Sequence, residues 1–392
     1  MKWDSEWVRA AFPVLKEVTY LNTGTYGLMP EPAVTAFLEV TREFETRGVA
    51  CRADLGGKMN ETRKRIAGLL GAEPGEIAFT RNATDGINLV LAGLPWQPGD
   101  EVITTDEEHE AMIHPLLYLQ RERGLRVRTV SVSPCAEIML ARLEEALSPR
   151  TKLVAMSHVT CETGTRLPAR QICAWAAQRG VLTLFDGAQA LGALPINVHE
   201  LGCDFYTSNG HKWLCGPKGT GIFYMRQSQA SLLFLAHVGA GSLEKADRMA
   251  GIAEPWPDAR RFEFGTRAWA LYAGLGAALD WFEGLGWEAV YQRVADLAGY
   301  LKARVRQCPY FHLLSPEGQD ESSGLTSFTV EGLNASDLGR LLRERWNMYV
   351  RVIPHYNALR ISTAHFNDEE DINRLLNALE DLWRQERGDK GG

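Results

Sequence analysis

Five short apolar runs, Glu76–Thr80, Glu101–Thr105, Leu153–His158, Val181–Phe185 and Gly221–Met225, recur along the chain, and helix-length amphipathic segments separate several of them. Runs of this length and β-branched content read as strands, and strands alternating with helices close most simply into a mainly parallel sheet covered on both faces. Residues 268–283 place Leu271, Leu275, Ala278, Leu279 and Phe282 at helical spacing, which predicts a long helix carrying the chain out of this layer. Beyond it the pattern becomes a helix, a strand at Leu325–Val330, a helix at Asp337–Trp346, strands at Tyr349–Ile353 and Leu359–Thr363, and a last helix. That helix is expected to open on a capping box of Asn367 and Glu370 and to bury Ile372, Leu375, Leu376, Leu379 and Trp383. The division expected is an N-terminal segment (1–20) near a small domain, a large domain (21–267), a connecting helix (268–283) and a small C-terminal α/β domain (284–392). A chain of 392 residues with 45% hydrophobic content has length enough for both cores.

Charge and composition exclude several classes of function. Forty-nine acidic residues against 42 basic ones give a formal charge of -7, so there is no excess positive field for a nucleic-acid backbone. No run of about 18 apolar residues is present to span a bilayer. The opening Met1-Lys-Trp-Asp-Ser-Glu-Trp7 has no apolar core of a secretory leader. The seven cysteines (51, 135, 161, 173, 203, 215 and 308) are odd in number and never form a C-x-x-C pair, which argues against a disulfide framework or a structural zinc site. The expectation is a cytoplasmic protein with reduced thiols, each a small buried hydrophobe.

Five elements carry chemistry. In Ser208-Asn-Gly-His-Lys-Trp-Leu-Cys-Gly-Pro-Lys-Gly-Thr-Gly221, Lys212 lies between glycine-bearing turns; alone it reads as a surface lysine, but burial beside a cationic group would lower its pKa and make it a nucleophile. Val181-Leu-Thr-Leu-Phe-Asp186-Gly-Ala-Gln189 is an apolar strand that delivers a carboxylate to its C-terminal edge, where open α/β sheets bind ligands. In Phe79-Thr-Arg-Asn-Ala-Thr84-Asp-Gly-Ile-Asn-Leu-Val90, a polar turn opens a helix whose free N–H groups, with the Thr84 hydroxyl, suit a phosphate as well as an ordinary cap. His109, in Asp106-Glu-Glu-His109-Glu-Ala-Met, follows the second strand and can face a planar ring; a metal reading fails, since His114 lies five residues on and no third ligand accompanies the pair. Arg360, inside the apolar strand Ala358-Leu-Arg-Ile-Ser362, needs an anion, either a structural carboxylate or a substrate's.

In type and order these elements closely resemble the class V aminotransferases, a family of fold type I enzymes that use pyridoxal 5′-phosphate (PLP) and that includes cysteine desulfurases, cysteine/cystine carbon–sulfur lyases and isopenicillin N epimerase-like proteins. The likeness runs from Tyr20-Leu-Asn-Thr-Gly-Thr-Tyr-Gly27 to the last helix. It implies an α/β fold with a mainly parallel seven-stranded sheet in the large domain, PLP as a Schiff base on Lys212, Asp186 at the pyridine nitrogen, Gln189 at the phenolic oxygen and His109 stacked on the ring. Ala83, Thr84, Asn209 and His211 are expected around the phosphate, and Arg360 on the substrate carboxylate, with Asn22, Arg351 and His355 as further substrate contacts. Gly265 and Thr266, in Phe264-Gly-Thr-Arg267, look like the pair that reaches the phosphate of a neighbouring subunit, so a homodimer is expected.

Two departures narrow the reading. Asn209 stands where many relatives have a hydroxyl, as in the epimerase-like branch, and its amide can still donate. The short run Tyr349-Val-Arg-Val-Ile-Pro-His-Tyr-Asn-Ala-Leu-Arg360 holds no cysteine, whereas desulfurases keep their persulfide cysteine on the loop before this arginine. The expected reaction is β-elimination from cysteine, cystine or a cysteine conjugate, giving pyruvate, ammonia and a sulfur product; an aminotransferase or an amino-acid epimerase of the same family is the alternative. A non-catalytic PLP-binding regulator would leave Lys212 and Asp186 unexplained and shows no helix-turn-helix or basic arm. A nicotinamide fold lacks its G-x-G-x-x-G turn.

Overall fold

The computed structural model describes residues 3–388. Seven strands form the central sheet: β1 (Ile77–Thr80), β2 (Glu101–Thr105), β3 (Arg126–Val130), β4 (Thr151–Ser157), β5 (Leu182–Asp186), β6 (Phe205–Asn209) and β7 (Gly221–Met225). Their spatial order is β1-β7-β6-β5-β4-β2-β3, and all neighbours are parallel except β7, which runs antiparallel to β1 and β6. The mainly parallel seven-stranded sheet is therefore as expected. Two of its strands were not legible. β3 is an edge strand whose Arg126 and Arg128 face water, so its apolar signal is weak. β6 is wholly buried yet ends in Thr207-Ser-Asn209, because these side chains hydrogen-bond inward: Thr207 Oγ1 donates to Ala83 O (3.2 Å) and Ile222 O (3.2 Å), and Ser208 Oγ to Gly187 O (3.0 Å).

Apolar layers cover the sheet on both sides, one built around Ile103, Val154, Phe185, Tyr206 and Leu275, the other around Ala78, Leu153, Leu184, Phe205 and Phe223. The alternation of neighbours such as Leu184 and Phe185 between these layers is the two-residue period of a strand buried on both faces. The helix Ala83–Gly93 lies directly on β6, and a Cβ at Gly86 would stand 2.1 Å from Thr207 Oγ1. Glycine is required there by close approach, and that approach fixes where the helix N-terminus points.

The connecting helix spans Trp269–Leu285 and buries Tyr272, Leu275, Leu279 and Phe282. Helix Trp287–Gln307 follows and covers the smaller sheet, whose strands β8 (Phe311–Leu313), β9 (Leu325–Val330), β10 (Arg351–Ile353) and β11 (Ala358–Ser362) are antiparallel in the order β8-β9-β11-β10. The expected strand at Tyr349–Ile353 is broken at Val350: Met348–Tyr349 instead pairs in parallel with Thr19–Tyr20, and only Arg351–Ile353 joins the sheet. The cap of the last helix, Glu369–Gly388, is also different from that expected. Asp368 Oδ1 accepts from Asp371 N (2.9 Å), while Asn367 is turned inward, donating to Tyr20 O (3.0 Å) and to Asp371 Oδ2 (2.9 Å). Val8, Phe12 and Leu15 share a cluster with Trp213, Phe282, Val294 and Phe366, so the N-terminal segment packs where the two sheets' layers meet.

The loop before the connecting helix is anchored by one buried ion pair. Glu263 Oε1 accepts from Arg63 Nη1 (2.6 Å) and Phe79 N (2.6 Å), and Oε2 from Arg63 Nη2 (3.0 Å), with side-chain exposures of 6% for Arg63 and 10% for Glu263. Removing one partner of such a pair strands a buried charge. Glu263→Ala is predicted to destabilise the fold by about 3–5 kcal/mol, seen as a lower urea midpoint at unchanged slope; a midpoint equal to that of the parent chain would show the pair to be dispensable.

Candidate active site

Because β1 and the parallel strands all point the same way, the turns that leave their C-terminal ends converge on one edge of the sheet. There a pocket of about 370 Å³, its mouth included, is lined by Ala83 and Thr84 after β1, His109 after β2, Ser157 and Cys161 after β4, Asp186 and Gln189 after β5, and Asn209 and Lys212 after β6.

The charges in this pocket oppose one another. Burial lowers the Lys212 pKa, with Asp186 resisting and the Arg360 and Arg351 cations assisting. Burial raises the Asp186 pKa, with Lys212, the Ala188 N–H (2.9 Å to Oδ1) and His109 holding it down. Asp186 is only 5% exposed, so burial outweighs these neighbours and its pKa stays above the ordinary carboxylate value. Gln189 is tied at both ends, donating to Gly24 O (2.8 Å) and accepting from Trp213 Nε1 (3.0 Å), and one amide hydrogen is left for a ligand.

At the opening turn of helix Ala83–Gly93 the donors divide. Ala83 N donates to Asn209 Oδ1 (2.9 Å) and Asp85 N to Asn82 Oδ1 (2.9 Å), while the Thr84 N–H, between them, has no partner among the described residues. Asn209 spends its oxygen on the helix and keeps its NH₂, so the pocket presents an anion with the Thr84 N–H, the Asn209 amide and the helix dipole. His109 is itself a cap, its Nδ1 accepting from Ala111 N (3.0 Å); this assigns the proton to Nε2, and burial together with Lys212 lowers its pKa. His211 does not line this pocket. Its ring lies 5.8 Å from that of Tyr26, and burial beside Lys212 and Lys218 brings its pKa down to about 4.

Arg360 is 4% exposed and has no carboxylate partner among the described residues. Its Nη1 donates to Cys161 O, its Nη2 to Thr25 Oγ1 (3.1 Å), and its Nε is buried without a partner. Burial lowers its pKa to about 10. Thr25 in turn donates to Asn22 Oδ1 (2.7 Å), which places Asn22 one hydrogen bond behind the guanidinium. Arg351 is exposed and pairs in register with Arg360 on the adjoining strand; His355 Nε2 contacts Glu162 Oε2 at 2.9 Å. Gly265 and Thr266 lie outside the Lys212 pocket and line separate cavities with Arg267.

Three residues in or behind the pocket escaped the sequence reading. Cys161 is a pocket residue, in contrast to the expected buried filler, with a thiol pushed up to about 12 by burial. Glu108 sits behind the wall, accepting from Thr105 Oγ1 (2.6 Å), Ser157 N (2.9 Å) and Ser157 Oγ (2.7 Å), with a carboxyl raised by burial to about 7. Ser157 links it to the pocket. A run of acidic residues beside His109 offered no signal that one of them turns inward. His158, at the end of the Leu153–His158 run, is structural: it contacts Tyr206 OH at 3.0 Å and is kept neutral by burial, its pKa lowered to about 3.

A family model for aminotransferase class V matches residues 33–375, so the chain belongs to that family. Among curated relatives, a cysteine desulfurase from Serratia proteamaculans is 32% identical, covering 98% of this chain and 99% of its own. An isopenicillin N epimerase from Amycolatopsis lactamdurans is 31% identical, covering 93% and 95%. The cystine C–S lyase C-DES, solved with its product cysteine persulfide, superposes with a TM-score of 0.87 at 32% identity over 94% of this chain and 98% of its own; a mutant of C-DES has been solved with glycine covalently linked to its PLP cofactor.

The Glu108 carboxyl gives a pH test. Its pKa is raised from 4.5 to about 7, so between these values the folded chain holds a proton that the unfolded chain has released. Its contribution to stability therefore falls as pH rises through that window, by up to about 3 kcal/mol at the top. Glu108→Gln is predicted to remove this slope from a urea-denaturation series, and a variant whose slope matches that of the parent chain would exonerate Glu108.

Proposed function

We propose that this chain is a PLP-dependent carbon–sulfur lyase that carries out β-elimination on cysteine, cystine or a cysteine conjugate, giving pyruvate, ammonia and a sulfur product. The observation that carries the amino-acid reading is Arg360, a buried guanidinium with no carboxylate partner beside Lys212. Leaving such a charge unmatched is costly, and a substrate α-carboxylate supplies the missing bidentate acceptor. The pocket fits PLP by its donor set: an amine of lowered pKa, a buried carboxylate at a strand end, and an unfilled helix N-terminus for a phosphate. When bound, PLP supplies an electron sink that stabilises negative charge at the substrate α-carbon.

The chain's own groups do the rest. Lys212 would hold the cofactor through its amine, and that same Nζ is the group placed to take a substrate's α-proton, burial having lowered its pKa from the ordinary lysine value. Asp186 would keep a proton on the ring nitrogen, Gln189 would offer its remaining N–H to the phenolic oxygen, and Thr84 with Asn209 would hold the phosphate. His109 would cover the ring. Arg360, braced by Thr25 and Asn22, turns the substrate so that one α-bond faces Lys212.

Elimination is favoured over sulfur relay because the 349–360 loop has no cysteine, and over the alternatives by the likeness to a cystine C–S lyase. We also read the chain as a cytoplasmic homodimer in which Gly265 and Thr266 serve the partner's phosphate site. Supporting this, both lie outside the Lys212 pocket, and Phe264 (41% exposed), Phe234 (75%) and Val49 (78%) are uncovered apolar side chains. No helix among the described residues is long and apolar enough to cross a membrane.

The purified protein is predicted to be yellow and to release pyruvate and sulfide from L-cysteine or L-cystine with its visible band retained. Bleaching to the pyridoxamine form without sulfur release, or appearance of the D-isomer alone, would move it to the aminotransferases or the epimerases. Lys212→Ala should bind PLP weakly and lose turnover. Arg360→Lys should raise KM by roughly 30-fold or more, the loss of about 2–3 kcal/mol from a bidentate charged pair, with the visible band intact; an unchanged KM would assign the carboxylate to another group.

A further inference from the structure

A second cleft, of about 870 Å³ with its mouth included, opens between helix Trp287–Gln307, the 317–324 segment and the turn after β5. At its inner end Lys302 is 5% exposed, and its ammonium donates to Ser322 Oγ, itself committed to Gly318 O (2.8 Å). An ammonium carries three donors, so two remain open, and no carboxylate forms an ion pair with it among the described residues. Glu317, which also lines the cleft, is already matched to Arg306 at 2.6 Å, and it and Glu321 reach the ammonium only through space, without an ion pair. Arg166 lines the same cleft, and its guanidinium also forms no ion pair among the described residues. Glu288 and Asp320 line it too, again without an ion pair, and Leu194 and Val294 supply an apolar wall.

Buried cations are ordinarily paired, because an unmatched charge removed from water costs several kcal/mol. Here the buried Lys302 ammonium and the half-buried Arg166 guanidinium share one cleft with the exposed carboxylates of Glu288 and Asp320, none of the four in an ion pair among the described residues, beside apolar surface. We propose that this cleft binds a small α-amino acid as its zwitterion, with the carboxylate on Lys302 and Arg166, the ammonium toward Glu288 and Asp320, and the side chain against Leu194 and Val294. The site is separate from the Lys212 pocket, with no lining residue in common. Arg166 N donates to Glu321 O (2.8 Å), and five residues earlier the Cys161 carbonyl accepts from Arg360, so one segment borders both sites.

The test needs an amino acid that cannot react at Lys212. N,N-dimethyl-L-alanine keeps both charges, but its tertiary amine forms no imine. Titrated into the protein as purified and followed by calorimetry, it should bind without altering the visible spectrum. Measured in an Arg360→Lys background, where the Lys212 pocket no longer grips a carboxylate, the binding should persist, and adding Lys302→Met, which keeps the volume and removes the charge, or Arg166→Gln should each weaken it by about tenfold or more, as expected for loss of a charged hydrogen bond. Propionate, lacking the ammonium, should bind at least about tenfold more weakly. Absence of heat up to roughly 10 mM in the Arg360→Lys background, binding there that Lys302→Met leaves unchanged, or equal binding of propionate would each overturn the assignment. Because neither the probe nor the calorimetric signal involves PLP chemistry, failure here is distinguishable from failure of the lyase reading.

Discussion

The polarity of the central sheet is the constraint on which everything else depends. A parallel strand delivers its C-terminal turn to the same edge as its neighbours, so residues more than a hundred positions apart, such as Thr84 and Lys212, arrive at one pocket without any long loop having to be ordered for the purpose. The antiparallel strand β7 does not break this rule, since Gly221, its first residue, lies level with Asn209 and Thr80 at that edge. Glycines then permit the close approaches that complete it. A Cβ at Gly27 would stand 2.0 Å from Lys212 O, so the N-terminal turn can rest on the lysine loop only as glycine.

Within that frame the site is held by opposed charges in a buried space. Asp186 and Lys212 each shift the other toward the charged form, while burial pushes both toward neutrality. The balance suits a cationic ring nitrogen, which would partner Asp186 in place of the Lys212 ammonium and leave that amine as a base. Arg360 belongs to a different balance, made with neutral oxygens from Cys161 and Thr25, and it reaches the edge of the site from the small sheet. The Lys212 pocket and the Arg360 guanidinium thus lie on two layers that meet at one edge.

Much of this was legible in the sequence because the informative residues are contiguous with apolar strands: Asp186 ends one, Thr84 follows another, and Lys212 sits between glycine turns. What was not legible has a common physical cause. β6 hides behind polar side chains that bond inward, and β3 behind arginines on an edge. Glu108 cannot be told from its acidic neighbours until the fold turns it toward Ser157. Cys161 reads as filler until Arg360, 199 positions away, is seen to hold its carbonyl. The last helix shows the limit at finer scale. Asn367 and Asp368 are both competent caps, and the choice falls to Asp368 because Asn367 is recruited by Tyr20 O from the other end of the chain.

Cys161 also bears on how sulfur leaves. It is the one thiol lining the pocket among the described residues, yet burial raises its pKa to about 12, so at neutral pH it is almost wholly the protonated thiol and a poor acceptor of sulfur. A relay cysteine needs the opposite setting, an exposed and electropositive one on a mobile loop. The loop that precedes Arg360 instead carries Arg351, His355 and Tyr356, with His355 engaged by Glu162. With no thiolate poised to capture sulfur, the sulfur-bearing fragment is left to depart as a free small molecule, which is the outcome that distinguishes a lyase from a sulfur-transfer enzyme built on the same fold.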